Sequence, residues 1–520
     1  MRRPGRLALL TALVVPLAGC ALVRGTARSY VLAPNGLEAR EERLRAALAA
    51  GELTAALSTV RSKKDAPEDE LLRALYHGTV AYYAGDYGAS ASALQRAYDL
   101  TEDRYTKSAS RAALSMLTND RALPYVPGDN ERLMVHYYGM QGFLARGDVA
   151  GAAVEARRLA GLLERFDERR GDRDASTRAT LRFLTGLVFE AAGEPADADV
   201  AFRNARALLA VGADSARAPA PLLAAGLAAK PALPAAAAAA PEPSGTGTVV
   251  VVLEEGFVAH RVERSLSVAL SEEEVHAFGE GSDDDRWRSA ERIGGRWVRH
   301  HGGGFDDGGG WSGAGDELPY LLQIALPAYQ RSYAPPLAPA AVRAGPASAG
   351  FTYVADLSDA ADGDFARDRV KLLTRAVARA GTKYALAELA SRKKKSDEER
   401  EEDDDGGEDG KKRKKRKSRG LDVDWGKMAV NLVGVALERA DTRSWHLLPA
   451  RVSVARLSLP PGRHVLRLDA GGAQAAALDT VEVRAGTATF VTRRLWRGIE
   501  ASAARPAAAD SAAADSIAPR

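Results

Sequence analysis

The only cysteine of this 520-residue chain, Cys20, is the side chain whose chemistry is easiest to predict. It follows Leu17-Ala18-Gly19, which completes a lipobox, and the stretch from Leu7 to Val15 before it is nonpolar. Arginines precede that stretch, an order typical of a secretory signal peptide, here residues 1–19. We therefore expect cleavage before Cys20 and attachment of a diacylglycerol to its thiol. The alternative is an ordinary cleaved signal followed by a chance cysteine.

Histidines and aspartates that could bind a metal are concentrated between residues 276 and 307, but no pair has the spacing of a zinc helix or a calcium loop. The glycine run at residues 302–310 lacks the Gly-Lys-Ser/Thr ending of a phosphate loop. We find no Ser-His-Asp, Cys-His or paired-carboxylate pattern in the sequence. The expectation is a chain with no metal, no cofactor and no enzymatic activity.

A polar and aromatic stretch at residues 119–138 is the second candidate site. Its two prolines and a glycine predict a nonhelical connection, followed by a helix that begins near Glu131 with Asp129 or Asn130 as its N-cap. In one interpretation the stretch forms a partner-binding patch on the concave face of a helical array. In the other, it caps a helix and packs at a helix crossing. The residues of the possible patch are Asp120, Arg121, Tyr125, Asp129, Glu131, His136 and Tyr137.

The elements that would position this stretch are helices over residues 37–210, where nonpolar residues recur at three- and four-residue spacing. Glycines at 51, 85, 147 and 193 predict turns between paired helices, because glycine readily adopts the left-handed conformation. The pattern resembles tetratricopeptide repeats, and the first two of these glycines are 34 residues apart, the repeat length of that family. Later spacings are irregular, so plain antiparallel helices remain the alternative.

An Ala- and Pro-rich linker at residues 211–246 precedes a second part, and its prolines favour extended backbone that would keep the two cores separate. The second part comprises a strand-rich module with a Gly-rich loop and a helix at 247–392, a disordered charged insertion at 393–419, a helix within 420–449, and a small β-sandwich-like region at 450–497. The first strand ends at a turn signal, Glu254-Glu255-Gly256. The predicted strands are Thr248–Leu253, Phe257–Leu270, Tyr320–Leu326, Tyr353–Ala355, Arg451–Leu459, His464–Leu468, Thr480–Arg484 and Thr487–Leu495.

These elements predict an α+β multidomain chain, with residues 20–36 as a tether and residues 498–520 as a disordered tail. The 72 basic and 69 acidic residues give a formal charge of +3, and loss of the signal's three arginines would leave about zero. Such a balance predicts no nucleic-acid partner. After the signal, no uninterrupted nonpolar run of membrane-spanning length is present in the sequence.

Two segments resemble signatures of a poorly characterised family of bacterial lipoproteins with tetratricopeptide-like domains. Residues 119–138 match the sequence pattern "ND-A-LPY-P-D-E---VHYY", and residues Ala440–Ala450 match the pattern "AD-RSW--LPA". Residues 450–497 are similar to the small PEGA-type β-sandwich extensions of bacterial envelope proteins. The resemblance implies an architecture and an envelope location, but no activity.

The expected protein is therefore a lipoprotein anchored in the cell outer membrane, on its periplasmic face. Ala21 follows the cysteine, whereas Asp at this position is the usual inner-membrane retention signal in the lipoproteins that the chain resembles. Its expected role is a protein-protein interaction scaffold in cell-envelope assembly, for example of peptidoglycan, with envelope proteins as partners. The alternatives are a component of polysaccharide or protein export and an enzyme acting on wall glycan.

Overall fold

A computed structural model describes residues 36–61, 67–106, 123–170, 174–213, 245–270, 320–331, 341–351, 353–361, 372–378, 440–469 and 476–496, with isolated residues in 273–293 and at 363, 365 and 381. Within these described ranges, eight α-helices lie before residue 214, and ten β-strands lie after residue 246. The chain is thus mixed α+β, with a helical N-terminal region.

Turns of two or three residues join the eight helices into four consecutive pairs. The helices are α1 (Gly36–Ala50), α2 (Leu53–Arg61), α3 (Glu70–Tyr83), α4 (Tyr87–Thr106), α5 (Asp129–Ala145), α6 (Val149–Arg170), α7 (Ala175–Ala191) and α8 (Pro195–Ala213). The turn glycines Gly51, Gly85, Gly147 and Gly193 have φ angles of 76°, 81°, 74° and 76°. The predicted left-handed glycine turns are therefore confirmed.

Close packing inside two of these pairs depends on a glycine within the first helix. A Cβ atom added to Gly186 would lie 2.5 Å from the ring of Phe202, and one added to Gly78 would lie 2.7 Å from Cγ of Leu94. No real side chain tolerates such distances. The small residue allows the second helix to insert a large side chain against the backbone of the first.

The strands form two four-stranded sheets and one ribbon. They are β1 (Gly247–Glu255), β2 (His260–Leu270), β3 (Tyr320–Gln330), β4 (Ala341–Ala344), β5 (Ala347–Gly350), β6 (Tyr353–Asp356), β7 (Arg451–Leu459), β8 (Gly462–Asp469), β9 (Ala476–Val483) and β10 (Ala488–Leu495). The central sheet has the order β10-β1-β7-β6, the outer sheet has the order β5-β4-β8-β9, and β2 and β3 form the ribbon. Strands β1 and β10 are parallel, whereas the other pairs are antiparallel.

Strand β1 lies in the middle of a three-layer arrangement, which explains its uninterrupted nonpolar sequence. Val250 and Val252 belong to an apolar cluster shared with the helices, whereas Val249, Val251 and Leu253 belong to a second cluster shared with the outer sheet. Successive side chains of a strand point to opposite faces. A strand covered on both faces therefore needs nonpolar residues at every position.

The division into two separate cores, expected from the linker, is wrong. The first cluster joins helical residues such as Leu75 and Tyr138 to Val452, Trp445 and Phe257 of the second part. The linker composition describes residues 211–246 themselves, and it carries no information about how the flanking parts pack.

The strands of residues 450–497 do not form a unit separate from residues 247–392. Strands β7 and β10 lie on either side of β1, and β8 and β9 extend the sheet that β4 and β5 begin. Each of the two sheets is therefore completed by strands from both segments.

Several other expectations fall on parts of the chain with little or no description. Of the segment 420–449, which was expected to contain a helix, residues 440–449 are irregular, and its remaining residues lie outside the described part. Of the helix expected in the 247–392 module, residues 372–378 are described and helical. The signal, residues 20–35 of the tether, the charged insertion and the glycine run lie outside the described residues, whereas Gly36 begins α1.

Candidate functional site at the helix–sheet interface

The two segments that resemble a lipoprotein signature meet in the structure. We call residues 123–128 the proline loop and residues 440–450 the tryptophan segment. Trp445, in the middle of the tryptophan segment, donates its backbone N–H to Oε1 of Glu131 over 2.6 Å, although the two residues are 314 positions apart. The signatures therefore belong to one site, at the contact between the helices and the sheets.

Glu131 fixes the start of helix α5. Its Oε2 accepts the backbone N–H of Gly128 over 2.9 Å and also the hydroxyl of Tyr125. Gly128 is the N-cap and Asp129 is the first helical residue, so the prediction of Asp129 or Asn130 as the cap is wrong. Because glycine has no side chain to cap the helix, the glutamate three positions later reaches back to the N-cap backbone.

Trp445 fills the space between helices α3 and α5. Its side chain is 1% exposed, and its ring centroid lies 5.7 Å from that of Tyr138. The indole N–H donates to Oγ1 of Thr79 over 2.9 Å, while the Thr79 hydroxyl donates to the carbonyl of Leu75 over 2.8 Å. Both the nonpolar and the polar part of the tryptophan are therefore accommodated.

Arg443 connects the tryptophan segment to two helical elements. Its guanidinium is 1% exposed and binds the carboxylate of Asp441 through two contacts of 2.7 and 2.8 Å. It also donates to Asp69, just before α3, over 3.0 Å and to the Leu123 carbonyl of the proline loop over 2.9 Å. Two carboxylates and a carbonyl offset the cost of burying this charge.

A second buried network surrounds Glu254, at the end of β1. This carboxylate is fully buried and accepts the hydroxyls of Tyr83 over 2.6 Å and Tyr137 over 2.7 Å. Since the one proton of Tyr83 goes to Glu254, the Tyr83 oxygen accepts from Tyr138 over 2.8 Å and from Arg494 over 3.0 Å. Arg494 lies 3.9 Å from the carboxylate and is its register partner on β10.

Burial raises the pKa of Glu254, whereas Arg494 and the two tyrosine hydroxyls act in the opposite direction. Burial, together with the Glu254 carboxylate, also raises the pKa of Tyr137. Tyr137 therefore stays protonated and can only donate to the carboxylate. This geometry stabilises the contact between α3, α5 and the central sheet rather than activating a nucleophile.

A third polar group joins α1 to the tryptophan segment. Glu41 accepts the Tyr76 hydroxyl over 2.6 Å and lies 3.2 Å from Nδ1 of His446. The His446 ring is 5.1 Å from that of His260, whose Nδ1 is 3.2 Å from the guanidinium of Arg45. Burial and these basic neighbours lower the pKa of His446 well below its usual value and that of His260 to about 4.

The two histidines are expected to make the interface sensitive to acid. Because their folded-state pKa values are depressed, the unfolded chain binds more protons below about pH 6.5, and stability is lost as the pH falls from there toward about 4. Each histidine contributes a slope of up to about 1.4 kcal/mol per pH unit. Urea unfolding between about pH 7 and pH 4.5 should show a shallower loss for His446→Gln than for the wild type.

The variant has to be compared with the wild type because Glu254, Glu255 and Asp356 have raised pKa values in the folded protein. Over part of this pH range these carboxyl groups increase stability as the pH falls, whereas the histidines decrease it. These carboxyl groups are present in both proteins, so the difference in slope reports the histidine. Ser92→Ala, which changes an exposed side chain without a titratable group on α4, provides a control and should leave the slope unchanged. Equal slopes for His446→Gln and the wild type would contradict the prediction.

The structure separates the seven residues of the possible partner-binding patch. Tyr125 and Tyr137 are 2% and 0% exposed and bind Glu131 and Glu254, so they belong to the interior. Asp129 is half-buried in the first turn of α5, 4.0 Å from Arg132. His136 faces a different part of the molecule, where its Nδ1 is 2.8 Å from Glu155. Asp120 and Arg121 lie outside the described residues.

The sequence pattern missed the role of the charged residues near strand ends. Glu254 and Glu255 are buried strand residues, whereas they were expected to mark a turn. A carboxylate directly after five nonpolar strand residues is expected to be buried with the strand, and a buried carboxylate needs hydrogen-bond donors or a positive charge beside it. The tyrosine pairs at 82–83 and 137–138 are a second signal, but nothing local indicates that they meet Glu254.

A cavity of about 220 Å³ lies away from this interface, between α4, α5 and α6. Its charged lining residues are Arg132, Arg157, Arg158, Arg165 and Glu102, and the lining also includes His136. Its nonpolar lining includes Val135, Leu162 and the ring of Tyr98. All of its lining residues come from these three helices, so the sheets take no part in it.

Among the described residues, no helix is long and nonpolar enough to cross a membrane. In the same part of the chain, no group of three or more His, Cys, Asp or Glu side chains has a metal-binding arrangement. Comparisons of the chain with protein-family models, with curated proteins and with solved structures gave no match.

Proposed function

We propose that the chain is a noncatalytic interaction scaffold of the bacterial cell envelope, anchored to the periplasmic face of the outer membrane by lipid on Cys20. The observation that carries the proposal is the use of polar side chains at the helix–sheet interface. Glu131, Glu254 and Arg443 are residues of types that catalyse reactions in other proteins. Here their side chains make the contacts that join the helices to the sheets. The helices and the sheets then share one apolar cluster, and the helices keep an outer surface for partners.

The fold of the two parts supports the proposal. Four helix pairs with left-handed glycine turns and the close approaches at Gly78 and Gly186 favour a tetratricopeptide-like array. Arrays of this kind bind other proteins through extended surfaces. The apolar cluster shared by the central and outer sheets favours a sandwich-like arrangement for the second part.

The anchor is tested by replacing Cys20 with serine. The variant should take up no fatty-acid analogue in growing cells, because a serine hydroxyl does not form the thioether to diacylglycerol. The wild-type chain should be labelled and should fractionate with outer membranes. Since the sequence has one cysteine, equal labelling of the variant would exclude lipidation at this position.

The scaffold role is tested by photo-crosslinking in intact cells. A crosslinking amino acid replaces Val154 on α6, which is 47% exposed, and a matched protein carries it at Val465 on β8, which is 46% exposed. Val154 should give discrete crosslinked envelope proteins, whereas Val465 should give few. The same diffuse products from both positions would contradict a helical partner surface.

A further inference from the structure

The outward face of the outer sheet, which is the face turned away from the central sheet, is rich in arginine. Along β4 and β8, buried residues of the second apolar cluster alternate with exposed residues, so the exposed side chains share this face. Arg343 of β4 and Arg463 and Arg467 of β8 are among them, and the exposed Arg484 directly follows β9, at the end of the sheet where Arg463 lies. We call these four residues the arginine face.

The carboxylates on the strands of the outer sheet do not balance the arginine face. Asp469 pairs with Arg343 over 2.8 Å, and Asp479 pairs with Arg493 of the neighbouring strand β10. In the part of the chain that the structure describes, the other three members of the arginine face form no ion pair. Glu482, which is exposed on β9, is the remaining carboxylate of these strands. Even with Glu482 counted against the three arginines, two positive charges are left over.

The stability of the sheet does not explain this arrangement. Arg343 and Arg467 are register partners on neighbouring antiparallel strands, so their Cβ atoms lie roughly 5 Å apart. Like charges at directly opposed positions destabilise a sheet, and Asp469 offsets one of the two. A negatively charged partner would offset the other.

The outward residues around the arginines give the face a flat shape. Val465 lies between Arg463 and Arg467 and is 46% exposed. The other uncharged outward residues are small, namely Ala341, Ser348, Gly350, Ala477 and Thr480. Long arginine side chains extend beyond such neighbours and carry their charge into the solvent. A face of this shape fits a broad anionic plane, whereas most small-molecule ligands bind in clefts.

A membrane that contains anionic phospholipids is such a plane. The planar fork of a guanidinium matches the oxygens of a phosphate, and clustered basic residues hold proteins at anionic membrane surfaces. The outer sheet covers the central sheet on the side opposite to the helices, because Val249 and Val251 pack with the outer sheet and Val250 and Val252 with the helices. With the arginine face on a membrane, the helices therefore point away from the lipid.

We propose that the arginine face docks on the phosphate headgroups of anionic phospholipids, so that the outer sheet lies on the membrane that holds the lipid anchor. The proposal rests on the anchor of the proposed function and gives the anchored protein an orientation. In that orientation the helical surface is accessible to partner proteins, and Val465 faces lipid.

The test places an environment-sensitive fluorescent amino acid at position 465 of the purified full-length protein. A matched protein carries it at Val154 on α6, which is 47% exposed. Each protein is reconstituted with vesicles of phosphatidylcholine that contain phosphatidylglycerol, or of phosphatidylcholine alone, and flotation shows which protein is bound. On phosphatidylglycerol vesicles only, the emission from position 465 should shift to the blue and be quenched by spin-labelled lipid. The emission from position 154 should stay unchanged on both.

The variant that tests the arginines combines Arg463→Gln with Arg467→Gln. Its contact equilibrium, measured as the fraction of blue-shifted emission, should fall at least tenfold, because each basic residue at an anionic surface contributes roughly fivefold. The control variant combines Arg96→Gln with Arg203→Gln, which removes the same charge from α4 and α8 at positions that are 57% and 58% exposed. It should keep the wild-type shift.

Thermal unfolding shows whether each variant is folded. Should the double variant on β8 fail to fold, Arg484→Gln takes its place, since this residue lies outside the strands, and roughly a fivefold loss is then expected. Soluble polyglutamate is added as a competitor that represents an acidic protein partner.

Three results would overturn the proposal: equal quenching at position 465 on the two kinds of vesicle, an unchanged shift in the folded arginine variants, or displacement of the sheet from phosphatidylglycerol vesicles by polyglutamate at an equal concentration of negative charge. If position 465 stays in water while the protein floats with the vesicles, the docking proposal fails and the anchor stands. If position 465 contacts the lipid as expected but Val154 gives no discrete crosslinks in cells, the scaffold fails instead.

Discussion

Replacing Glu254 with alanine is expected to lower the free energy of unfolding by about 3–5 kcal/mol, because the substitution leaves Arg494 buried without its countercharge. The hydroxyls of Tyr83 and Tyr137 lose their acceptor at the same time. Urea unfolding at neutral pH, followed by near-ultraviolet circular dichroism of the tyrosines, measures the loss. The same change should be visible in the tyrosine signal of the folded state.

Two variants sharpen this experiment. Glu482→Ala removes a carboxylate from an exposed position on β9 and should change stability by no more than about 0.5 kcal/mol. Glu254→Ala combined with Arg494→Met should cost less than the sum of the single changes, since each single change leaves the other charge unpaired. Strict additivity of the two substitutions would contradict a coupled ion pair.

Replacing Trp445 with alanine is expected to cost about 3–5 kcal/mol through the cavity that it leaves in the apolar cluster. The loss should occur in one cooperative transition, because the tryptophan joins the helices to the sheets within a single core. Unfolding of the variant is followed by circular dichroism at wavelengths that report helix and by fluorescence of the remaining tryptophans.

The matched variant for this position is Trp445→Phe. It retains an aromatic ring against Tyr138 but removes the indole N–H that binds Thr79, so a smaller loss than for alanine is expected. Two separate transitions in Trp445→Ala, one for helices and one for sheets, would show that the halves fold independently and that the shared core contributes little.

The parts of the fold that were predictable depend on contacts between near neighbours. A glycine turn is determined by a few residues, and all four predicted turns adopt left-handed backbone. The predicted strands likewise coincide with β1, β7 and β10 within two residues, because alternation or a β-branched run shows which faces are covered.

The helix–sheet interface could not be predicted in the same way. Trp445 and Glu131 are 314 positions apart, and the sequence around one does not indicate that it contacts the other. The resemblance to a lipoprotein signature marked both segments without indicating that they touch. The contact depends on how the surface of the folded helices fits the surface of the folded sheets.

The possible partner-binding patch illustrates how a mixed outcome arises. Tyr125 and Tyr137 are aromatic residues with a hydroxyl, a type equally suited to a binding surface and to a buried hydrogen bond. In the structure both are buried, and their hydroxyls donate to Glu131 and Glu254. His136, one position before Tyr137, points instead to the arginine-lined cavity, because neighbouring helical positions face different directions.

The parallel pairing of β1 with β10 also means that β1 is synthesised long before its partner strand. Thr248 pairs with Ala488, which the ribosome reaches 240 residues later, or roughly 12–50 s at about 5–20 residues per second. The other neighbour of β1, strand β7, is made only after residue 450. For that interval Val249 to Leu253 form a nonpolar strand with two unpaired edges, a template for aggregation. Until its two neighbours are made, this segment cannot form the sheet contacts that cover its edges in the folded protein.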